Sequence, residues 1–145
     1  MTRRRAVVVF IMMGCRGRAE LASCDDDLRG VYVAADGKRW DVIAGSPGAL
    51  EAYPLFDDGA LAGDVVVSPR VIDLARTPSG VAGFVRRWYM RGADRCDAAV
   101  SVHVTACRGD ELELVMKDPV APLSFATCAF PRPDGSRVER WHRER

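Results

Sequence analysis

Histidine is scarce in this sequence, and neither sign of charge dominates it. The 145 residues include two histidines, and 21 basic residues against 20 acidic ones give a formal net charge of +1. A chain without a basic excess lacks the electrostatic signature of a protein that binds nucleic acid. We therefore predict no nucleic-acid partner.

The motifs that identify common catalytic and metal centres are also missing. No HExxH, GxSxG, P-loop or dinucleotide-binding glycine pattern occurs, and no CxxC spacing favours a zinc site. Asp57 and Asp58 precede a turn glycine, and the side chains of adjacent strand residues diverge, so a turn explains this pair better than catalysis. We expect no enzymatic activity, no cofactor and no metal ion.

The apolar run near the start of the chain is too short to span a bilayer, which needs about 20 residues. This run, Ala6–Met13, has eight residues and follows three consecutive arginines, Arg3 to Arg5. A basic region before a short apolar run is the layout of an export signal. We predict that residues 1–14 are a signal peptide, and the alternative is a buried strand at the start of the domain.

Met12-Met13-Gly14-Cys15 closes this run and resembles the lipobox of bacterial lipoprotein signals, in which a small residue precedes a lipidated cysteine. The resemblance implies lipidation at Cys15, a membrane anchor, and a location in the cell envelope that faces the periplasm or the exterior. Residues 15–27 would then be the lipidated cysteine and a tether. Leu21-Ala22-Ser23-Cys24 matches the lipobox better by letters, but charged residues separate it from the apolar run.

Lipidation at Cys15 leaves an even set of cysteines, namely Cys24, Cys96, Cys107 and Cys128. An even set suits an oxidising compartment, and two disulfides would each stabilise the fold by roughly 2–4 kcal/mol. Cys96 and Cys107 lie at opposite ends of one predicted strand, roughly 36 Å apart, and cannot bond each other. We expect Cys107 to face outward. The preferred pairing is therefore Cys107–Cys128 with Cys24–Cys96, and the alternative is Cys96–Cys128.

Alternating apolar and polar residues over Ala98–Lys117 predict a β-hairpin. A three-residue loop, Arg108-Gly109-Asp110, brings the apolar residues of both arms to one face. It pairs Val104 with Leu114 and Val102 with Met116, and it leaves Thr105 and Glu113 outside.

A second hairpin is predicted at Asp36-Gly37, a dipeptide that tolerates the positive φ of a two-residue turn. This turn pairs Val33 with Trp40 and Val31 with Val42 on one face.

Glycines and prolines divide the chain into about eight to ten short strands, and no segment has a helical period. We predict an all-β fold over residues 28–145, namely a single antiparallel β-barrel, with a β-sandwich as the alternative. Gly30-Val31-Tyr32 in the first strand and an arginine-rich last strand with Trp141 resemble small lipocalin-like barrels. This resemblance implies the same barrel fold.

The strand predicted over Val81–Arg91 carries the candidate binding residues. If Phe84, Trp88 and Met90 face the core, Arg86 points inward as well, where it snorkels at the barrel mouth or recognises an anion. The expected ligand-binding residues are Trp40, Arg86 and Trp88.

Together these patterns predict an exported bacterial lipoprotein whose non-enzymatic barrel binds a small apolar ligand or a protein partner. The alternative is a periplasmic inhibitor of a hydrolase, either a lysozyme or a protease. A cavity open at one end and lined by Trp40, Trp88 and Val102 would favour ligand binding. A filled core with an exposed aromatic loop would favour inhibition.

Overall fold

The computed structural model describes Cys24 and residues 27–56, 59–132 and 135–145. The predicted signal peptide, Cys15 and the Asp57-Asp58 pair lie outside the described residues. Within these ranges no helix is long and apolar enough to cross a membrane. The ten strands are β1 (Gly30–Ala34), β2 (Arg39–Ala44), β3 (Ala49–Pro54), β4 (Ala60–Ala62), β5 (Val65–Val67), β6 (Val71–Thr77), β7 (Gly80–Arg91), β8 (Asp94–Arg108), β9 (Glu111–Asp118) and β10 (Gly135–Arg143).

Eight of these strands close into one antiparallel barrel. The order around it is β1, β2, β3, β6, β7, β8, β9 and β10, and β10 pairs again with β1. The β4–β5 hairpin is added beside the end of β7, where Val66 pairs with Met90. Closure confirms the predicted barrel and excludes the alternative of two stacked sheets, which would leave open edges.

The first hairpin differs from its prediction by one residue. Its loop has three residues, Ala35 to Gly37, because the Ala34 amide donates to the Lys38 carbonyl (2.8 Å) and Gly37 takes a positive φ of 81°. Tyr32 therefore pairs with Trp40 and points into the core, whereas the predicted partner of Trp40 was Val33. Because of this one-residue shift in register, the residues of β1 that were predicted to face the core face outward, and their neighbours face the core.

The second hairpin has the predicted register but a different loop. Val104 pairs with Leu114 and Val102 with Met116, as predicted. The loop has only two residues, Gly109 and Asp110, because a β-bulge between Val104 and Ala106 supplies the missing offset. The predicted three-residue loop was therefore wrong.

The bulge also determines which cysteines form disulfides with each other. It changes the alternation of β8, so that Cys107 packs against the core and bonds Cys24, with a Cα–Cα distance of 5.5 Å. The second disulfide is Cys96–Cys128, with a Cα–Cα distance of 5.1 Å. The preferred pairing of the sequence analysis was wrong because it placed Cys107 outside, and the alternative Cys96–Cys128 is confirmed.

The barrel is filled at one end, which we call the closed end and define by the β8–β9 turn at Gly109. The Cys24–Cys107 disulfide lies there, and Cys24 and Leu28 belong to the buried core. The Tyr32 hydroxyl donates to the Leu28 carbonyl (3.0 Å) and accepts from Arg143 Nη2 (2.7 Å). These bonds hold the segment before β1 as a plug.

Candidate functional site

The opposite end, which we call the open end and define by the β7–β8 turn at Gly92, contains a cavity of about 740 Å³. Its wall combines the β1–β2 loop, the residue before β6, the ends of β7 and β9, and the beginnings of β8 and β10. The lining residues are Ala34, Ala35, Asp36, Lys38, Arg70, Val85, Arg87, Tyr89, Ala98, Val100, Met116, Lys117, Asp118, Pro119, Phe130, Arg137, Val138, Glu139 and Arg140.

The cavity reaches the surface where the barrel wall is incomplete. β1 pairs with β10 only from Tyr32, opposite Arg143, to Ala34, opposite Trp141. Beyond Ala34 the chain turns away, so residues 135–140 of β10 have no β1 partner within the described part of the chain. The lining residues on both sides of this gap show that the cavity extends into it.

A buried polar group forms the inner wall of the cavity. Arg70 is 7% exposed, and its guanidinium lies 4.8 Å from the centroid of the Trp40 ring. Trp40 stacks in turn on Trp141 at a centroid distance of 4.9 Å. A guanidinium over an aromatic face is stabilised by the ring quadrupole, so this stack fixes the position of Arg70.

Glu139 connects this stack to the opposite wall. Its Oε1 accepts from Arg70 Nη1 (2.8 Å) and lies 2.9 Å from Arg137 Nη2, while its Oε2 accepts from Trp141 Nε1 (3.1 Å). The Glu139 side chain is 16% exposed. A single carboxylate is thus shared by two guanidinium groups and an indole.

The described lining of the cavity carries more positive than negative charge. Six basic side chains stand against three acidic ones, a difference of three. The basic residues are Lys38, Arg70, Arg87, Lys117, Arg137 and Arg140, and the acidic residues are Asp36, Asp118 and Glu139. The whole chain is nearly neutral, so the positive charge is concentrated at this site.

Apolar side chains complete the lining. Val85, Val100 and Met116 come from three adjacent strands, and Tyr89 and Phe130 meet at the open end with ring centroids 5.8 Å apart. Burial raises the pKa of the Tyr89 phenol, so this ring is neutral at physiological pH. The cavity therefore combines an apolar surface with a cationic one.

The connection between β9 and β10 forms part of the wall. The Cys96–Cys128 disulfide joins it to β8, and the Arg91 guanidinium lies 4.4 Å from the centroid of the Phe125 ring. Within this connection, Ser124 and Ala129 form an isolated antiparallel bridge. Covalent attachment keeps this irregular segment beside the cavity.

Two of the three predicted ligand-binding residues, Arg86 and Trp88, lie on the outer face of the barrel wall. Val81 and Val85 of β7 are buried, so the alternate residues face outward: Phe84 is 56% exposed, and Arg86 donates from Nη2 to Asp73 Oδ1 (2.9 Å) on the surface. That hydrogen bond raises the pKa of Arg86. The inward prediction for Arg86 and Trp88 was wrong because it followed the aromatic residues of β7 instead of its valines.

The third predicted residue, Trp40, is fully buried, but it lies in the filled core together with Val102 and does not line the cavity. Sequence reasoning missed Arg87 and Tyr89. The signal that could have identified them is their spacing from Val81 and Val85, because residues two apart in a strand share a face.

A second surface feature is a row of exposed apolar side chains on the outer face beside the open end. Leu61, Val66 and Met90 are cross-strand neighbours and are 72%, 45% and 36% exposed, respectively. We call these three residues the apolar row. Phe56, in the connection before β4, is 70% exposed.

The described residues contain no group of three or more histidine, cysteine or acidic side chains that could hold a metal ion. Comparison with protein-family models, with curated proteins and with solved structures gave no match.

Proposed function

We propose that this chain is an exported, lipid-anchored protein without enzymatic activity, and that its barrel binds a small ligand in the cavity at the open end. The observation that carries the proposal is the contrast between the two ends of the barrel. One end is filled by buried side chains, and the other holds about 740 Å³ of space. Small-molecule sites in proteins are clefts of roughly 300–1,000 Å³ with apolar walls and a few polar groups.

The cysteines support the anchor. Four of the five are in disulfides, and Cys15 is the fifth. Cys24 was the competing lipidation site, but it bonds Cys107 at the closed end. This arrangement favours Cys15, the residue that the lipobox resemblance implies.

The attachment point also favours one orientation. Eight residues lie between Cys15 and Cys24, so the nine steps from one to the other span at most ~32 Å when fully extended. Because Cys24 is bonded to the closed end, a lipid on Cys15 would hold that end nearest the membrane. The cavity would then face away from the bilayer, toward solutes of the surrounding compartment.

The intact mass of the mature protein from its native membranes tests the anchor. We expect a chain that begins at Cys15, carries the mass of acyl groups, and gains four hydrogens on reduction, two for each disulfide. An unmodified mass that begins at Met1, with five free thiols, would contradict export and lipidation together.

Binding of N-phenylnaphthylamine, an uncharged dye that fluoresces in apolar sites, tests the cavity. We expect saturable binding to the full-length protein and a large loss of binding in Ala98→Trp, which places an indole in the cavity. Ser101→Trp, on the exposed outer face of the same strand, is the matched control and should bind normally. Equal binding by both variants would place the dye elsewhere.

The apolar row and the exposed Phe56 favour inhibition of a hydrolase as a second candidate function, because exposed apolar and aromatic side chains are typical of protein contacts. Inhibition of a lysozyme or a protease at equimolar ratio would support it. We would then expect Phe56→Ala to abolish inhibition and to leave dye binding unchanged. Inhibition that persists in this variant would exclude Phe56 from the contact.

A further inference from the structure

We infer that the edge of β8 beside the open end is a docking site for an extended segment of another protein, which binds by adding a strand to the barrel wall. The inference goes beyond the proposed ligand of the cavity and is carried by different observations.

β8 extends past its partner β9 toward the open end. It pairs with β9 only from Val102, opposite Met116, to Arg108, whereas on its other side it pairs with β7 as far as Asp94. β9 continues to Asp118, but there it pairs with β10 alone. Residues 97–100 of β8 therefore have β7 on one side and no strand on the other within the described part of the chain. We call these four residues the free edge.

The free edge carries backbone groups that an added strand can bind. Neighbouring residues of an antiparallel strand direct their N–H and C=O groups to opposite sides, so two of the four residues direct theirs away from β7. The β9–β10 connection lies beside them, but its backbone hydrogen bonds among the described residues are internal, from the amides of Val120 and Ser124. Two N–H donors and two C=O acceptors at strand spacing match the backbone of an extended polypeptide.

A groove of about 450 Å³ runs along the free edge and has room for an added strand. One wall is β8, and the other is formed by the end of β9 and by residues 128–130 of the β9–β10 connection. The lining residues are Asp97, Ala98, Ala99, Val100, Ser101, Lys117, Cys128, Ala129 and Phe130.

The free edge is not protected in the ways that natural sheet edges usually are. Very short strands, prolines, bulges and inward-pointing charges prevent unwanted pairing. β4, the outer strand of the added hairpin, is protected by its length of three residues. In contrast, the free edge pairs with β7 in an uninterrupted register, contains no proline, and directs Ala98 and Val100 inward. Its one charged residue, Asp97, is exposed and accepts from Arg95 Nη2 (3.0 Å). This edge is therefore open to pairing.

The side chains of the free edge indicate which sequence fits. Ala98 and Val100 line the cavity as well as the groove, whereas Ala99 is exposed on the outer face. An added strand would place every second side chain on the apolar inner side, next to Ala98 and Val100, and the others in solvent. We therefore expect a partner segment in which apolar and polar residues alternate, such as Thr-Val-Thr-Val-Thr.

Fluorescence anisotropy of this pentapeptide, labelled with fluorescein, tests docking to the full-length protein. We expect saturable binding. The same peptide with every backbone amide methylated keeps its side chains but has no N–H donors, and it should bind at least about tenfold more weakly. Equal binding of the two peptides, or no binding of the unmethylated one, would contradict strand addition.

Two tryptophan substitutions in the β9–β10 connection locate the peptide. Ala129→Trp places an indole in the groove and should weaken binding at least about tenfold. Ala126→Trp, at an exposed position of the same connection outside the groove, should change binding by no more than about twofold. Equal thermal unfolding curves show that both variants fold, and equal weakening of binding would exclude the groove.

Hydrogen exchange followed by NMR identifies the added strand without any substitution. In the unbound protein, two alternate amides of the free edge should exchange at least about tenfold faster than the two that bond β7, and the peptide should slow them at least about tenfold. Protection of all four amides in the unbound monomer would show that another segment of this chain occupies the edge. Protection that appears only in a dimer would show that a second copy does. Either result would overturn docking of another protein.

Discussion

At the scale of single residues, two neighbours on β7 face opposite sides of the barrel wall. Arg86 pairs with Asp73 on the outer face, and its neighbour Arg87 lines the cavity. The alternation itself could be predicted from the sequence, but its phase could not be read from side-chain size. Phe84 is large and exposed, whereas Val85 is small and buried, because neighbours across the sheet set which face is inside.

Tyr32 makes the stability of the barrel sensitive to high pH. Burial raises the pKa of its phenol above the ordinary value of 10.0, against the opposing effect of the Arg143 hydrogen bonds. The native state therefore favours the neutral phenol, so this stabilisation is complete below the unfolded pKa and is lost as the pH rises through the native one.

We expect the melting temperature of the wild-type protein to fall above about pH 10, and the fall to be shallower in Tyr32→Phe. The variant should also be less stable at pH 8 by about 1 kcal/mol, because it loses its bonds to Leu28 and Arg143. Thermal unfolding followed by circular dichroism from pH 8 to 11 measures both effects. Parallel curves would show that Tyr32 does not titrate in this range.

At the scale of strands, the register of the β8–β9 hairpin could be predicted, whereas its loop geometry and the register of the β1–β2 hairpin could not. The alternation of β8 and β9 indicated Val104 opposite Leu114, but a three-residue loop and a bulge with a two-residue loop give the same offset. Only the bulge turns Cys107 inward. The disulfide pairing could not be predicted for this reason, since it depends on a local irregularity that leaves the apolar pattern intact.

The two disulfides close loops of different lengths, and their removal should have different costs. Cys24–Cys107 spans 83 residues and Cys96–Cys128 spans 32. Restricting the longer loop lowers the entropy of the unfolded chain more, so removing Cys24–Cys107 should cost about 1 kcal/mol more than removing Cys96–Cys128.

Urea unfolding of the two double variants, Cys24→Ser with Cys107→Ser and Cys96→Ser with Cys128→Ser, measures this difference. An equal or reversed order of the free energies of unfolding would show that loop entropy does not dominate. Dye binding supplies a second comparison. We expect the variant without the Cys96–Cys128 disulfide to lose more dye binding than the other variant, because only this disulfide holds the β9–β10 connection that lines the cavity.

At the scale of the whole molecule, the fold class followed from many short alternating strands, but the cavity did not. Its existence depends on the gap between β1 and β10 and on the β9–β10 connection, and neither has a sequence period. Its charge depends on arginines far apart in the chain, which only barrel closure brings together. The nearly neutral composition of the chain does not indicate that basic residues gather at the cavity.

The proposed anchor predicts the orientation of the molecule on a membrane. In vesicles that contain paramagnetic head groups, we expect the amide signal of Gly109, at the closed end, to broaden more than that of Gly92, at the open end. The two glycines lie in turns at opposite ends of the barrel and are each other's control. Stronger broadening of Gly92 would show that the cavity faces the bilayer.

The position of the ligand is the central claim, and two methionines test it directly. After cleavage before Cys15 only Met90 and Met116 remain in the chain. Met116 lines the cavity, and Met90 lies in the apolar row on the outer face. We would titrate mature protein carrying ¹³C-labelled methionine methyl groups with N-phenylnaphthylamine and follow both signals by NMR. The account predicts a saturable shift of Met116 with Met90 unchanged, and a shift of Met90 alone, or of neither methyl group, would contradict it.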